Sequence, residues 1–176
     1  MNGASGAGKS TVARTLAARL DLPYTEIDSL YHGPGWTARE TFLDDVGAVA
    51  AGERWVIEWQ YDAARPLLLD RCDLMVWLDL PRRVTTWRVT RRTVRRRVRR
   101  ERLWNGNLEG PLRRVLTDPE QIIRWAWSSH PAAAARIADV QRRRPELAVV
   151  RLRSAAEVRR WLDRLSGVGG TPERPR

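Results

Sequence analysis

Apolar positions change period several times along the chain, and each change marks an element. Val12, Ala13, Leu16 and Leu20 recur at helical spacing and predict a helix over residues 9–20. After Pro23, Tyr24-Thr25-Glu26-Ile27-Asp28 reads as a short strand ending on a carboxylate. Gly33, Pro34 and Gly35 break the chain. Thr37-Ala38-Arg39-Glu40 then has the form of a capping box, opening a helix through Phe42, Val46 and Val49 that ends near Gly52. Arg54 to Tyr61 is the next expected strand, followed by a short helix over 63–71. Cys72 to Leu80 is almost continuously apolar, the pattern of a strand buried on both faces of a parallel sheet. Residues 82–102 follow a helical pattern whose apolar face is marked by Val84, Trp87, Val94 and Val98. Two more helices are expected over about 112–128 and 131–143, then a strand from Leu147 to Leu152 and a last helix capped by Ser154. Strands alternating with helices predict a parallel, helix-covered α/β domain over residues 1–166, with a Gly/Pro-rich tail, 167–176, expected to be disordered.

The chemistry is announced earlier, by Gly3-Ala4-Ser5-Gly6-Ala7-Gly8-Lys9-Ser10, with Thr11 following. This run satisfies G-x-x-x-x-G-K-[ST] in full. Glycines let such a loop curl until successive N–H groups point inward at a polyphosphate; the lysine reaches the outer phosphates and the hydroxyl completes the shell of a Mg²⁺ ion. The following helix turns its free N–H groups and positive dipole end toward the same anion. Lys9 is the only lysine among 32 basic residues, and it stands where the motif requires one. Such a loop is normally fed by a buried strand of roughly five residues. Only Met1 and Asn2 precede Gly3 here, so the expectation is a sheet whose first strand is missing from the chain.

Composition narrows the setting. A net charge of +11 calls for anionic partners, either phosphorylated small molecules or nucleic acid. The single cysteine, Cys72, excludes an internal disulfide framework and points to a reducing cytoplasm. No stretch reaches the length of a membrane span. Residues 82–102 hold 11 Arg and one acid, most of them expected to form a solvated basic face. His32 and His130 stand apart from any ligand-spaced partner and read as structural.

The loop Gly3–Ser10, Asp28, the Pro34-Gly35-Trp36 turn, the Trp55–Tyr61 strand, Val76-Trp77-Leu78-Asp79-Leu80-Pro81-Arg82 and Leu103-Trp104-Asn105-Gly106-Asn107 fall in an order that resembles adenylate-kinase-like P-loop proteins, and most of all the bacterial branch labelled topology-modulation proteins. The resemblance covers residues 3 to about 165. It implies a three-layer sandwich around a five-stranded parallel sheet, an ATP·Mg²⁺ site, a substrate-side helical segment at about 29–53 and an arginine-rich lid at about 82–110. By the same resemblance Gly3, Ser5, Gly6, Ala7, Gly8, Lys9, Ser10 and Thr11 would bind the nucleotide, and Ser10 the metal. Asp28 would orient an acceptor hydroxyl or a metal-bound water, and Arg65 would meet a substrate phosphate. Glu58 stands where the family carries Asp-Gly; the carboxylate is kept and could act as base or hold a metal-bound water, but the glycine is replaced by Trp59, which would narrow the acceptor pocket. Asp79 is a further candidate acid near Mg²⁺.

Spacing nominates Arg88 and Arg92, one turn apart and extended by Arg95 and Arg99, to neutralise charge on a transferred phosphoryl group. The leading expectation is an ATP-dependent phosphotransferase acting on a small-molecule acceptor, as monomer or homodimer. A nucleic-acid-associated ATP-binding protein, suggested by the basic helix, and a nucleotide-binding protein without turnover stand behind it.

Overall fold

The computed structural model describes residues 1–99, 104, 107 and 122–165. The elements run β1 (Asn2–Gly3), α1 (Lys9–Leu20), β2 (Tyr24–Thr25), α2 (Ile27–Tyr31), a 3₁₀ turn (Pro34–Trp36), α3 (Phe42–Ala51), β3 (Val56–Ile57), α4 (Arg65–Arg71), β4 (Leu74–Leu78), α5 (Arg82–Arg99), α6 (Ile122–Arg143), β5 (Ala148–Leu152) and α7 (Ala155–Leu165). Among the described residues, β1, β4 and β5 form a three-stranded parallel sheet in that order, and β2 pairs with β3 in a second parallel ladder. The first strand is therefore present, against expectation, but only two residues long: Asn2 and Gly3 face Trp77 and Leu78 of β4. Beside it, the Met1 nitrogen donates to Ile57 O at 2.8 Å and Met1 O accepts from Trp59 N at 2.7 Å.

β4 shows why its apolar run is continuous. Met75 and Trp77 join one core with Ile27, Val46, Leu68, Ile137 and Val140, from the α2, α3, α4 and α6 side. Val76 and Leu78 join another with Val12, Ala13 and Leu16 of α1 and Leu152 and Leu162 of β5 and α7. Alternate residues of a strand point to opposite faces, so a strand covered by helices on both sides needs apolar residues at every position.

Several boundaries move. β2 stops at Thr25, and Asp28 lies in α2. α3 begins at Phe42 with Thr41 before it; Thr37 instead donates its hydroxyl to Pro34 O at 2.9 Å, closing the turn and capping nothing. β3 contracts to two residues. Pro131 does not divide two helices: α6 runs through it from Ile122 to Arg143, and residues 112–121 lie outside the described part. The reading of the last helix holds, with Ser154 Oγ accepting from Glu157 N at 3.1 Å and Glu157 accepting from Arg153 N at 2.8 Å, a reciprocal cap.

The largest revision concerns α5. Its apolar stripe faces outward, with Trp87 60% and Val98 74% exposed, and the buried residues are Thr85, Val89 and Thr93. The reason lies at Gly6. A Cβ added there would stand 2.3 Å from Thr85 O and 2.6 Å from a Val89 methyl, so α5 rests on the backbone of the glycine loop. So close an approach leaves no room on that face for a side chain as large as Trp87, while valine and threonine, nearly equal in volume, both fit. Among the described residues no helix is long and apolar enough to cross a membrane.

This register is testable. Val89→Ala should lower the unfolding free energy by about 2 kcal/mol, as for two buried methylene equivalents, while Val98→Ala should change it by less than about 0.5 kcal/mol. Denaturant titrations of both variants decide it; equal effects would mean that the helix is rotated.

Candidate functional site

The glycine loop leaves β1 and enters α1 at Lys9. Gly6 and Gly8 take φ of +80° and +94°, a region costly to residues with a Cβ, so the curl of the loop depends on them. Gly8 precedes α1 in the left-handed conformation, and the helix starts with no side-chain cap. An uncapped N-terminus of a twelve-residue helix suits an anion, and the loop supplies the space and the lysine beside it.

Lys9 Nζ donates to Gly3 O at 3.1 Å and Ala4 O at 3.4 Å, folded back along its own loop. Desolvation lowers its pKa to about 8; Asp28 and Glu58 oppose that shift, and Arg92 and Arg136 add to it. Those four groups come from α2, the end of β3, α5 and α6, so the fold brings together four chain segments around one ammonium. Arg88 approaches from the same helix as Arg92, with a guanidinium nitrogen 4.0 Å from where a Cβ on Gly8 would stand. Both arginines nominated by spacing therefore lie on the loop side of α5.

Asp28 is held by two donors. Gln60 Nε2 and Tyr61 Oη donate to its Oδ1 at 2.6 and 2.7 Å, and among the described residues no donor meets Oδ2. Burial and then the Asp28 charge push the Tyr61 phenol far above its usual range, keeping it a donor. Tyr61 Oη is also 3.3 Å from His32 Nε2, and burial lowers the His32 pKa. His32 in turn packs among Tyr31, Trp36, Tyr61 and Trp104. It is a packed aromatic, as the sequence suggested.

The remaining candidates separate. Glu58 is 2% exposed and does not face solvent; it accepts from Tyr24 Oη at 2.6 Å and Ile27 N at 3.0 Å. Trp59 is buried in the core, its indole donating to Arg65 O. Asp79 is engaged by Arg151 at 2.5 and 2.9 Å. Arg65 pairs with Asp62 and lies over the Trp59 ring. Close to Arg65 is Arg136, whose pKa is lowered by burial and then by the Arg65 charge. Asp62, the carboxylate paired with Arg65, opposes that shift. Arg136 was missed in the sequence. The available signal was its position between Ala133, Ile137 and Val140, an arginine bordering the buried face of a helix.

Among the described residues no group of three or more His, Cys, Asp or Glu side chains is placed to hold a metal ion. Ser10, at the start of α1, is the residue that fits a Mg²⁺ carried in on phosphates. A cavity of about 430 Å³ opens elsewhere, lined by Met1, Leu20, Trp55, Val56 and Leu74, and none of Lys9, Asp28, Arg88 or Arg92 borders it.

The chain matches no protein-family model, no curated protein and no solved structure. The site therefore has to be read from its own chemistry.

The lysine gives that chemistry a direct readout. With a folded pKa near 8 against 10.5 for a solvated lysine, the unfolded chain binds more protons between those values. Lys9 should thus make stability rise with pH across that window. Because Lys9 is the only lysine, reductive ¹³C-methylation marks one side chain besides the N-terminus. Its resonance should titrate near pH 8 in the ligand-free protein and higher once phosphate is added. A free-lysine midpoint near 10.5 would contradict the packing described.

Proposed function

We propose that this chain is an ATP-dependent phosphotransferase acting on a small acceptor that carries an anionic group. The observation that carries this reading is the convergence on Lys9 of Asp28, Arg92 and Arg136, at the mouth of a complete G-x-x-x-x-G-K-S loop. The loop residues Gly3, Ser5, Gly6, Ala7, Gly8, Lys9, Ser10 and Thr11 would hold the ATP phosphates, and Ser10 would bind Mg²⁺, which neutralises oxygens of the outer phosphates when present. Asp28 Oδ2 would accept the acceptor hydroxyl hydrogen bond and draw off its proton. Arg88 and Arg92 would meet charge developing on the transferred group, while Arg65 and Arg136 would hold the anionic part of the acceptor.

The fold reading goes with it. Met1 donates to Ile57 O and accepts from Trp59 N, the pair of bonds by which one residue bridges to Glu58 in a parallel ladder. Those bonds support a single sheet ordered β2-β3-β1-β4-β5, as in adenylate-kinase-like P-loop proteins. The site then lies where α/β sheets bind ligands, at the carboxyl ends of the strands where the order reverses.

A nucleic-acid role is the second reading, favoured by Trp87 and Arg83, Arg95 and Arg99 on the exposed side of α5. Two variants discriminate. Lys9→Ala should abolish ATP consumption in a screen against nucleosides, nucleotides and small metabolites. Arg88→Gln/Arg92→Gln should cut turnover by about 10²-fold or more while ATP affinity changes far less, because that charge is needed mainly in the transition state. Unchanged turnover in that double variant, beside a proportional loss of DNA binding, would overturn the role given to Arg88 and Arg92, and ATP affinity and turnover equal in wild type and Lys9→Ala would overturn the phosphotransferase reading.

A further inference from the structure

Tyr61 has a backbone φ of +61°, in the left-handed region where a bulky ring is rarely found. Strain of that kind persists only where the surroundings over-determine it, and it gathers at working sites. Both ends of Tyr61 are held. Its carbonyl oxygen accepts from Ala64 N and Arg65 N, each at 3.1 Å, which fixes the turn into α4. Its ring stacks on Tyr31 with centres 4.1 Å apart and meets Phe42 edge-on at 5.2 Å.

The turn has a geometric result. Neighbouring residues of an extended strand send their side chains to opposite faces, so a straight continuation of β3 would not bring residues 60 and 61 to one atom. With Tyr61 turned, Gln60 Nε2 and Tyr61 Oη both donate to Asp28 Oδ1, at 2.6 and 2.7 Å. The phenol has a single proton, and the Asp28 carboxylate takes it. Toward His32 Nε2, 3.3 Å away, the Tyr61 oxygen is then the acceptor, so the bonds run in one direction, from His32 through Tyr61 to Asp28.

We infer that Tyr61 and Gln60 are positioning residues for Asp28: they hold its carboxylate by one oxygen and present the other to the hydroxyl from which Asp28 draws a proton. This inference rests on the reading of Asp28 as base and adds to it two residues that never touch the acceptor. It also gives the left-handed backbone at Tyr61 a purpose, since that turn delivers both donors to one oxygen.

The test follows turnover of Mg·ATP with water as acceptor, and with the nucleosides, nucleotides and small metabolites of the screen. Tyr61→Phe keeps the ring and its stacking and removes the donor. It should lower kcat by about tenfold or more, because a base free to swing loses its alignment with the reacting atoms. The KM for ATP should stay within about twofold, since no phosphate contact is lost. Asp28→Asn sets the floor, and Asp28→Asn/Tyr61→Phe should match it, because the phenol acts through that carboxylate. Should Tyr61→Phe fail to fold, Gln60→Met removes the other donor to Oδ1 and should give the same split between kcat and KM. A kcat within about twofold of wild type in the donor-less variant, beside a large loss in Asp28→Asn, overturns the inference alone. A loss confined to the KM for ATP marks a merely structural tie and overturns it too, as does a double variant clearly slower than Asp28→Asn. Unchanged turnover in Asp28→Asn overturns the reading of Asp28 as base, and this inference with it. A wild type that consumes no ATP with any of these acceptors overturns the phosphotransferase reading and all that rests on it.

Discussion

The Lys9 ammonium sits where desolvation disfavours its charge, and the side chains around it follow from that constraint. Asp28 and Glu58 counter the loss of water, while Arg92 and Arg136 deepen the shortage of negative charge. Lys9, Arg92 and Arg136 are presented by three separate helices, α1, α5 and α6. A lysine suits the centre of such an arrangement and arginine its edge. A compact ammonium fits inside a loop of backbone carbonyls, whereas planar guanidinium forks reach from a distance and grip phosphate or carboxylate in pairs. The chain uses its one lysine at the centre and draws on 31 arginines elsewhere.

What could be read from the sequence was what is local. The glycine loop is a matter of consecutive residues, and β4 and the cap at Ser154 are likewise short-range; all were legible. Asp28 was found as a candidate, but its place in α2 was not, because a two-residue strand followed at once by a helix leaves no periodicity to see. The face of α5 was misread for a different reason. Hydrophobic patterning assumes that the most apolar residues go inward, and here the inward face meets the Gly6 backbone through Thr85 and Val89, close enough to exclude Trp87 but not valine, so side-chain size alone does not set the register. Glu58 was legible as a carboxylate near the site, but its partners, Tyr24 and the Ile27 amide, lie more than 30 positions away in the chain. Arg136 shows the same limit, being meaningful only once α6 is laid beside α4.

The outward stripe of α5 has its own physics. Val84, Trp87, Val94 and Val98 are spaced three and four apart around Arg91, which lies 5.5 Å from the Trp87 ring. Exposed apolar side chains separated by guanidinium groups stay wetted, since the arginine stems cover part of the apolar surface while their heads keep water nearby. Charge of one sign along the helix also discourages a second copy from pairing with it.

Asn107 ties two regions that sequence would treat separately. Its amide donates to Gly33 O at 2.9 Å and accepts from Trp36 N at 3.2 Å, and Trp104 stacks on His32 nearby. Trp104 and Asn107 are thus fastened to the turn that follows Asp28. Displacing these two residues either breaks two hydrogen bonds and a stacked pair or drags the turn along. Mechanically, they are a clasp that couples the position of the Pro34–Trp36 turn to chain more than 60 residues away.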